Sequence, residues 1–587
     1  MRNSLVILLA TLLLSPIGAS ALQKLPESDK VELEKPEPVC GDEVPPEWRK
    51  AQTIAGVSIQ ESIQCQPDNP AEIAAFVKGT NNIPMDLLME TQLAADALIK
   101  TNDMDNDGDP DHIIIKLEIA ELNGHSPDMT DFVTTFDIAS GLQPAFWVFA
   151  PKTRDMSTAD FLTSKANPLL RAPSPAIRVE QDDVVWLVLE NTHYLPHSIH
   201  LHGVDHPFMD HSGSGNDGVG QTSAMDVMPG ETKTYVIRPR VPGTMYYHCH
   251  VQPHTHIPMG LQGLFIVEEN RPNNWLQTFN VGNGQVRHPS VASQEKYLRE
   301  YDLHYQSLDK ELHQIVQSAN DPRLIARRMN LEYDITEASD DYFILNGRAF
   351  PYTLRESMIV MERDKKVKLR VLNGHTETLA LHIHGHKPMA THYDGVDNGP
   401  ATYIKRDVHG MAPAQRLDLE LSGVDNGLDS FGQGIWMFHD HVEKAFTTNG
   451  IGEGGSISLV VYKDYITANG IPKSHGMSLE PYFSKTLWQG QYPLWQNYDA
   501  WSSLGLPKLL PNAIPMPAAK TATAPASMSA KATSAPSAKQ TDTNAQPSGF
   551  WRLLKGLVIG LILYPILLHV WPLIASRIKS HNNQTPA

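Results

Sequence analysis

Cysteine is scarce in this chain, with three in 587 residues. That is too few for a disulfide framework. Positive charge is in deficit: 48 Lys and Arg stand against 66 Asp and Glu, a net charge of -18. The deficit argues against nucleic acid as a partner; it suits a solubilising acidic surface and weakly favours cationic substrates. Long apolar runs are confined to the two ends. Leu5 to Leu14 follows Arg2 and precedes Ala19-Ser20-Ala21, the layout of a secretory signal over residues 1–21. No Arg-Arg pair precedes the run, so general export is expected. Gly556 to Ile574 is nearly uncharged and close to the ~20 residues that a membrane span needs. Trp551, Tyr564 and Trp571 suit its interfaces. Export of the amino terminus would leave a globular head on the extracytoplasmic or periplasmic face, anchored by a carboxyl-terminal helix at 550–576.

Between the ends, composition marks the divisions. Residues 511–549 are rich in Ala, Pro, Ser, Thr and Lys without an apolar period, which describes a flexible tether. Residues 22–110 form an amino-terminal extension, with helical apolar spacing from Ala71 to Lys100. It ends in Asp103-Met-Asp105-Asn-Asp107-Gly108-Asp109-Pro-Asp111. Alternate carboxylates with a glycine at the sixth position suit a calcium loop, but the twelfth position is Ile114 where such a loop wants Glu. A solvated acidic turn is the competing reading. Cys40 and Cys65 would be free to bridge in an oxidising compartment.

Two segments then repeat one pattern. Strand-like runs Ile177–Glu180 and Val184–Leu189 lead through Asn191 to a histidine cluster, and Met245–Tyr247 to a second. Val367–Leu372 leads through Asn373 to a third cluster, and Ile435–Phe438 to a fourth. Short strands with Gly/Pro turns, seen twice, predict two copies of one antiparallel sandwich or barrel. The expected units are residues 111–270 and 336–465, joined by a connecting segment at 271–335 with helical spacing from Leu308 to Met329. An extension at 466–510 follows.

Ten of the 26 histidines lie in those four clusters. On a strand, residues two apart point to the same side. The pairs His200/His202, His248/His250, His382/His384 and His439/His441 each present two imidazoles to one place. Cys249, between two of them, faces the opposite way, where it can meet His197, His254 and Met259. Two imidazoles, a thiolate and a distant thioether make a type 1 copper site. The eight paired histidines are about what three further coppers need.

The motifs His197-Ser-Ile-His200-Leu-His202-Gly203 and His248-Cys249-His250-Val-Gln-Pro-His254-Thr-His256-Ile-Pro-Met259-Gly260, with His382-Ile-His384-Gly385 and His439-Asp440-His441, resemble the copper motifs of the multicopper oxidases, the laccase-like family. The resemblance covers about residues 175–270 and 336–462. It implies two cupredoxin-like Greek-key domains in a mainly β protein. It implies four coppers per chain: a type 1 copper on His197, Cys249, His254 and Met259, a type 2 copper on His200 and His382, and a type 3 pair on His202, His248, His250, His384, His439 and His441. The second copy has Leu379 in place of His197 and Asp440 in place of Cys249, so it cannot build a blue site. With no third cupredoxin pattern, the chain resembles two-domain members, in which the trinuclear cluster lies between subunits of a homotrimer.

The implied reaction is one-electron oxidation of a donor, phenolic or metal ion, coupled to four-electron reduction of O2 to water. The donor would deliver its electron near His254, and Cys249 and its flanking histidines would pass it on. Met259 as axial ligand implies a lower potential than members with Leu or Phe there. Asp394, ten residues after His384, is the expected proton-relaying carboxylate, and Asp217 competes with it. Two rivals stand beside this reading. A copper nitrite reductase needs only one histidine from its second domain and a longer spacing after the cysteine. A copper-binding protein without turnover needs no trinuclear set.

Overall fold

The structure is a computed structural model. It describes residues 30–32, 48–63, 68–125, 132–139, 141–154, 159–160, 165–476 and 478–483. The signal segment, Cys40, Cys65, the tether and the carboxyl-terminal apolar run lie outside the described residues. Among the described residues, no helix is long and apolar enough to cross a membrane.

The protein is mainly β and cupredoxin-like, built from two copies of one two-sheet unit. In the first copy, strands Leu98–Thr101, His112–Leu122, Phe146–Pro151, Val184–Glu190 and Thr232–Ile237 form one sheet. Ala176–Glu180, His200–His202, Gly243–His248, Gln262–Glu268 and Phe279–Asn280 form the other. Two parallel pairings mark the topology. His112–Leu122 runs parallel to Val184–Glu190, and Ala176–Glu180 parallel to Gln262–Glu268. The second copy repeats both, with Arg299–Leu308 beside Lys366–Asn373 and Ile359–Met361 beside Ser458–Tyr462. Alternation along the strands supplies the cores. Ile113, Ile115, Leu117 and Ile119 are buried together with Val185, Leu187 and Leu189 in the first unit. Val367, Leu369 and Val371 are buried with Leu417, Leu419 and Leu421 in the second.

Both copies start earlier than the sequence pattern indicates. Leu98–Thr101 belongs to the first unit's sheet, although the spacing there suggests helix. Helix is confined to Pro70–Lys78 and Met85–Leu88, interrupted by Gly79 and Pro84. Arg299–Leu308, inside the expected connecting segment, is a central strand of the second unit. Its sequence hides it, because Arg299, Glu300, Asp302, His304 and Gln306 alternate with its apolar residues and yet are all buried.

Glu300 and Asp302 are buried because they face charged partners across the junction of the two units. Arg178 of the first unit reaches Asp302 at 2.8 Å and Glu300 at 3.3 Å. Arg370 of the second reaches Glu268 of the first at 2.6 Å and Asp418 at 3.1 Å, and also pairs with Glu300. Buried charges persist only when paired and hydrogen-bonded in this way. The network fixes the two copies against each other within one chain.

Candidate metal centre

Cys249 follows the strand Gly243–His248 and is fully buried. Its backbone N–H donates to Leu261 at 3.0 Å. Its Sγ lies 3.7 Å from Nδ1 of His197 and 3.5 Å from Nδ1 of His256. These three residues form one of the groups whose ligand atoms converge closely enough for a metal ion.

His254 is not among them. Pro253 opens a helical turn over Pro253–His256, with the N–H groups of Thr255 and His256 both donating to Gln252. On a helix, residues two apart point about 200° apart instead of to one side. His256 therefore turns inward, 2 % exposed, while His254 stays half-buried on the outer side. The family motif assigns His254 to the site; the geometry assigns His256. Met259 is fully buried in the same core cluster as Cys249.

The pocket is buried, and among the described residues no lysine or arginine side chain is hydrogen-bonded to the sulfur. Burial pushes the Cys249 thiol up to about 12 and pulls His256 down to about 3. A thiol of that kind ionises only when a cation takes the proton's place, and two uncharged imidazoles turned towards it are soft-metal ligands. The donor set fits a copper ion.

On the opposite side of the same strand pair, His200 sits across from His248 in the ladder. The rings of His200, His202, His248 and His250 lie 5.0–5.8 Å apart, centroid to centroid, in the pairs His202–His248 and His248–His250, with His200–His250 at 5.2 Å. Nδ1 of His200 lies 2.8 Å from the Asp217 carbonyl, and Nδ1 of His248 lies 2.9 Å from the Cys249 carbonyl. Each ring therefore donates from Nδ1 and leaves Nε2 with a lone pair. Nε2 of His248 and Nε2 of His202 face each other at 2.9 Å. The Nδ1 of His250 is buried without a hydrogen-bond partner.

The second unit repeats this arrangement. His382 sits across from His439. Nδ1 of His382 lies 3.0 Å from the Asp407 carbonyl, and Nδ1 of His439 lies 2.9 Å from the Asp440 carbonyl. Nε2 of His384 and Nε2 of His439 are 3.2 Å apart. His441 completes the set, 5.3 Å from His439 ring to ring. Converging Nε2 lone pairs, fixed from behind by carbonyls, are the tautomers that metal ligation requires. Among the described residues, no hydrogen bond or ring contact links a histidine of the first set to one of the second within the chain.

Asp394 lies on a hairpin beside Gly203, the residue after His202. It occupies a tight turn with Gly395, both at positive φ. Its Oδ1 accepts from the Arg416 N–H at 3.0 Å and pairs with the Arg416 guanidinium at 3.1 Å. Asp217 contacts the first histidine set. Its Oδ1 is 3.2 Å from Nδ1 of His200 and 2.9 Å from Nε2 of His206. Of the two carboxylates expected for the proton path, Asp217 contacts histidines and Asp394 pairs with arginine.

The acidic loop brings Asp103, Asp105 and Asp111 together. Backbone N–H groups of Asp107 and Gly108 donate to Asp103, and Ile114 lies in the strand His112–Leu122 with no side-chain oxygen to offer.

Comparison with known proteins agrees with this chemistry. Family profiles described as multicopper oxidase match residues 170–272 and 325–452. Solved structures similar to the chain include the multicopper oxidase mgLAC, at 21% identity over 60% of this chain and 87% of that one, TM-score 0.42. A blue copper oxidase from Nitrosomonas europaea is 22% identical over 60% and 86%, TM-score 0.43. A copper nitrite reductase from the same organism is 16% identical over 61% and 96%, TM-score 0.38. No curated protein sequence matches. At these TM-scores the structural likenesses add no functional argument, and the family rests on the two matched profiles, which span all the clustered histidines and Cys249. Over residues 170–272 and 325–452, which carry the clustered histidines and Cys249, the chain is similar to the multicopper oxidase family.

Proposed function

We propose that this protein is a copper oxidase that takes single electrons from a phenolic or metal-ion donor and reduces O2 to water. The observation that carries the reading is the pairing of a buried cysteine site with two matching histidine sets, in each of which two rings are held at Nδ1 by a carbonyl and leave Nε2 free. His197, Cys249 and His256 would hold a type 1 copper. His200, His202, His248 and His250, with His382, His384, His439 and His441, would hold the type 2 and type 3 coppers. Bound copper would supply the redox chemistry, one electron at a time at the first site and four at the cluster.

The chain's own residues do the rest. Cys249 joins the two sites through its backbone to His248 and His250. The carbonyls of Asp217, Cys249, Asp407 and Asp440 orient the imidazoles. Asp217, with Oδ1 3.2 Å from Nδ1 of His200 and 2.9 Å from Nε2 of His206, is the carboxylate we assign to the proton path. Each histidine set is complete only as a half. Closing the site therefore calls for the first unit of one chain to meet the second unit of another, which supports a homotrimer. Export and anchoring by residues 550–576 complete the proposal.

The test is an EPR spectrum with copper quantitation on the purified protein, together with O2 uptake. Type 1 and type 2 signals with about half the copper silent, plus uptake driven by a donor, are expected. Fully visible copper in equal type 1 and type 2 amounts, without uptake, would overturn the oxidase reading and favour nitrite reduction or copper binding.

A further inference from the structure

His197 is backed by a buried relay. Its Nε2 lies 2.8 Å from Nδ1 of His193, and Nε2 of His193 lies 3.3 Å from Oε2 of Glu121. His197, His193 and Glu121 are all buried, at 0 %, 6 % and 8 % exposure. Oε2 of Glu121 also accepts from the Tyr194 hydroxyl at 2.6 Å and from Nε1 of Trp147 at 2.8 Å, and Oε1 accepts from the His125 N–H at 2.7 Å. Burial works to raise the Glu121 carboxyl, but the His193 and Tyr194 side chains and the His125 backbone hold it below the usual carboxylate range. The rings of His193 and Tyr194 are 3.9 Å apart, and Trp147 packs edge-on against both His193 and His197.

The hydrogen bonds have one consistent direction when a metal is bound. His197 offers Nδ1 towards Cys249, so its Nε2 carries the hydrogen and donates to Nδ1 of His193. That nitrogen must then be bare, so Nε2 of His193 carries a hydrogen and donates to the carboxylate, which only accepts. A negative charge stands at the far end of the line.

The second copy shows that the fold does not need this relay. Asn191 and Asn373 play the same part, each holding its following loop through two side-chain hydrogen bonds. Aligned on them, His375 takes the place of His193 and Leu379 that of His197. Glu121 pairs with Trp147 across its sheet, and Ser307 pairs with Phe343 in the equivalent position. The second copy thus keeps the histidine but has Ser307 for Glu121, Leu379 for His197 and Asp440 for Cys249. Both ring nitrogens of His375 lack a hydrogen-bond partner there, and Asp440 Oδ2 is 3.6 Å away. Glu121 and the ligands His197 and Cys249 are present together in one copy and replaced together in the other.

We propose that Glu121 and His193 are positioning residues of the cysteine site, fixing His197 in the tautomer that offers Nδ1 and lowering the reduction potential of the copper held there. The inference rests on the copper reading above. A hydrogen bond from a ligand imidazole towards a carboxylate makes the ligand more basic and favours the oxidised metal.

The experiment measures the type 1 potential by redox titration of the copper-loaded full chain, with EPR and thermal unfolding as controls. Glu121→Gln is expected to shift the potential upward with the type 1 signal retained. Tyr194→Phe removes a donor from Glu121, leaves more charge for His193, and is expected to shift it downward. An unchanged potential in a folded Glu121→Gln protein overturns the proposal; if that variant does not fold, an unchanged or raised potential in Tyr194→Phe does so. In copper-free wild type, 15N NMR of labelled histidine is expected to show His197 protonated at Nε2, and protonation at Nδ1 overturns the proposal. A wild type without any type 1 signal defeats the oxidase reading instead, and the copper-free NMR still decides the relay.

Discussion

Nδ1 of His256 lies 3.5 Å from Sγ of Cys249, and His254, two residues earlier, is turned away by the helical turn that carries both. His256→Ala is therefore expected to abolish the type 1 signal and the blue colour, and His254→Ala to retain both. Visible absorption and EPR of the two variants check this. Retention of the blue site in His256→Ala with its loss in His254→Ala would restore the family assignment.

Much of the candidate site is legible in the sequence because its motifs are short and strand-borne. Period two places His200 with His202 and Cys249 opposite its flanking histidines, with no tertiary information required. His256 escapes this logic, since Pro253 changes the local period from strand to helix. His193 and Glu121 escape it because their partnership spans 72 residues of sequence. The strand Arg299–Leu308 escapes it for another reason. Its buried face is paid for by Arg178 and Arg370, and a charged strand in a buried ion network has no apolar signature.

Substitution of Asp217, and not of Asp394, is expected to limit turnover. Loss of a positioned acid costs on the order of 10²-fold or more. Asp217→Asn should lower steady-state O2 uptake by that order while copper content and the type 1 signal stay intact. Asp394→Asn, which disturbs a pairing with Arg416, should alter stability before uptake. Equal uptake in Asp217→Asn and wild type would remove Asp217 from the proton path.

The buried network at the junction predicts acid sensitivity. Burial works to raise the Asp418 carboxyl, but Lys368, Arg370 and His392, with a hydrogen bond from Thr244, hold it down at about 2. Glu300, between Arg370 and Arg178, is also held low against its burial. A carboxyl depressed in the folded state stabilises above the ordinary carboxylate range, and loses that contribution as pH falls through the folded value. Stability should therefore fall between about pH 4 and pH 2, with Asp418 contributing roughly 2 kcal/mol. Arg370→Met strands several carboxylates at once and should cost about 3–5 kcal/mol at neutral pH. Denaturant unfolding across pH measures both, and a flat profile down to pH 2 would contradict the assignment.

The separation of the two histidine sets within one chain makes the shared-site proposal testable by mixing. His202→Ala disables the first-unit half and His384→Ala the second-unit half, so each protein alone should be inactive. If the cluster forms between neighbouring chains, co-refolded or co-expressed mixtures place intact first units against intact second units. In a ring of equal parts, about one junction in four is fully intact, and about a quarter of wild-type O2 uptake should return. If each chain built its own cluster, no mixture would recover activity, because every chain would carry one damaged half. Recovery with copper restored in proportion fixes the subunit boundary as the place where the O2-reducing site is assembled.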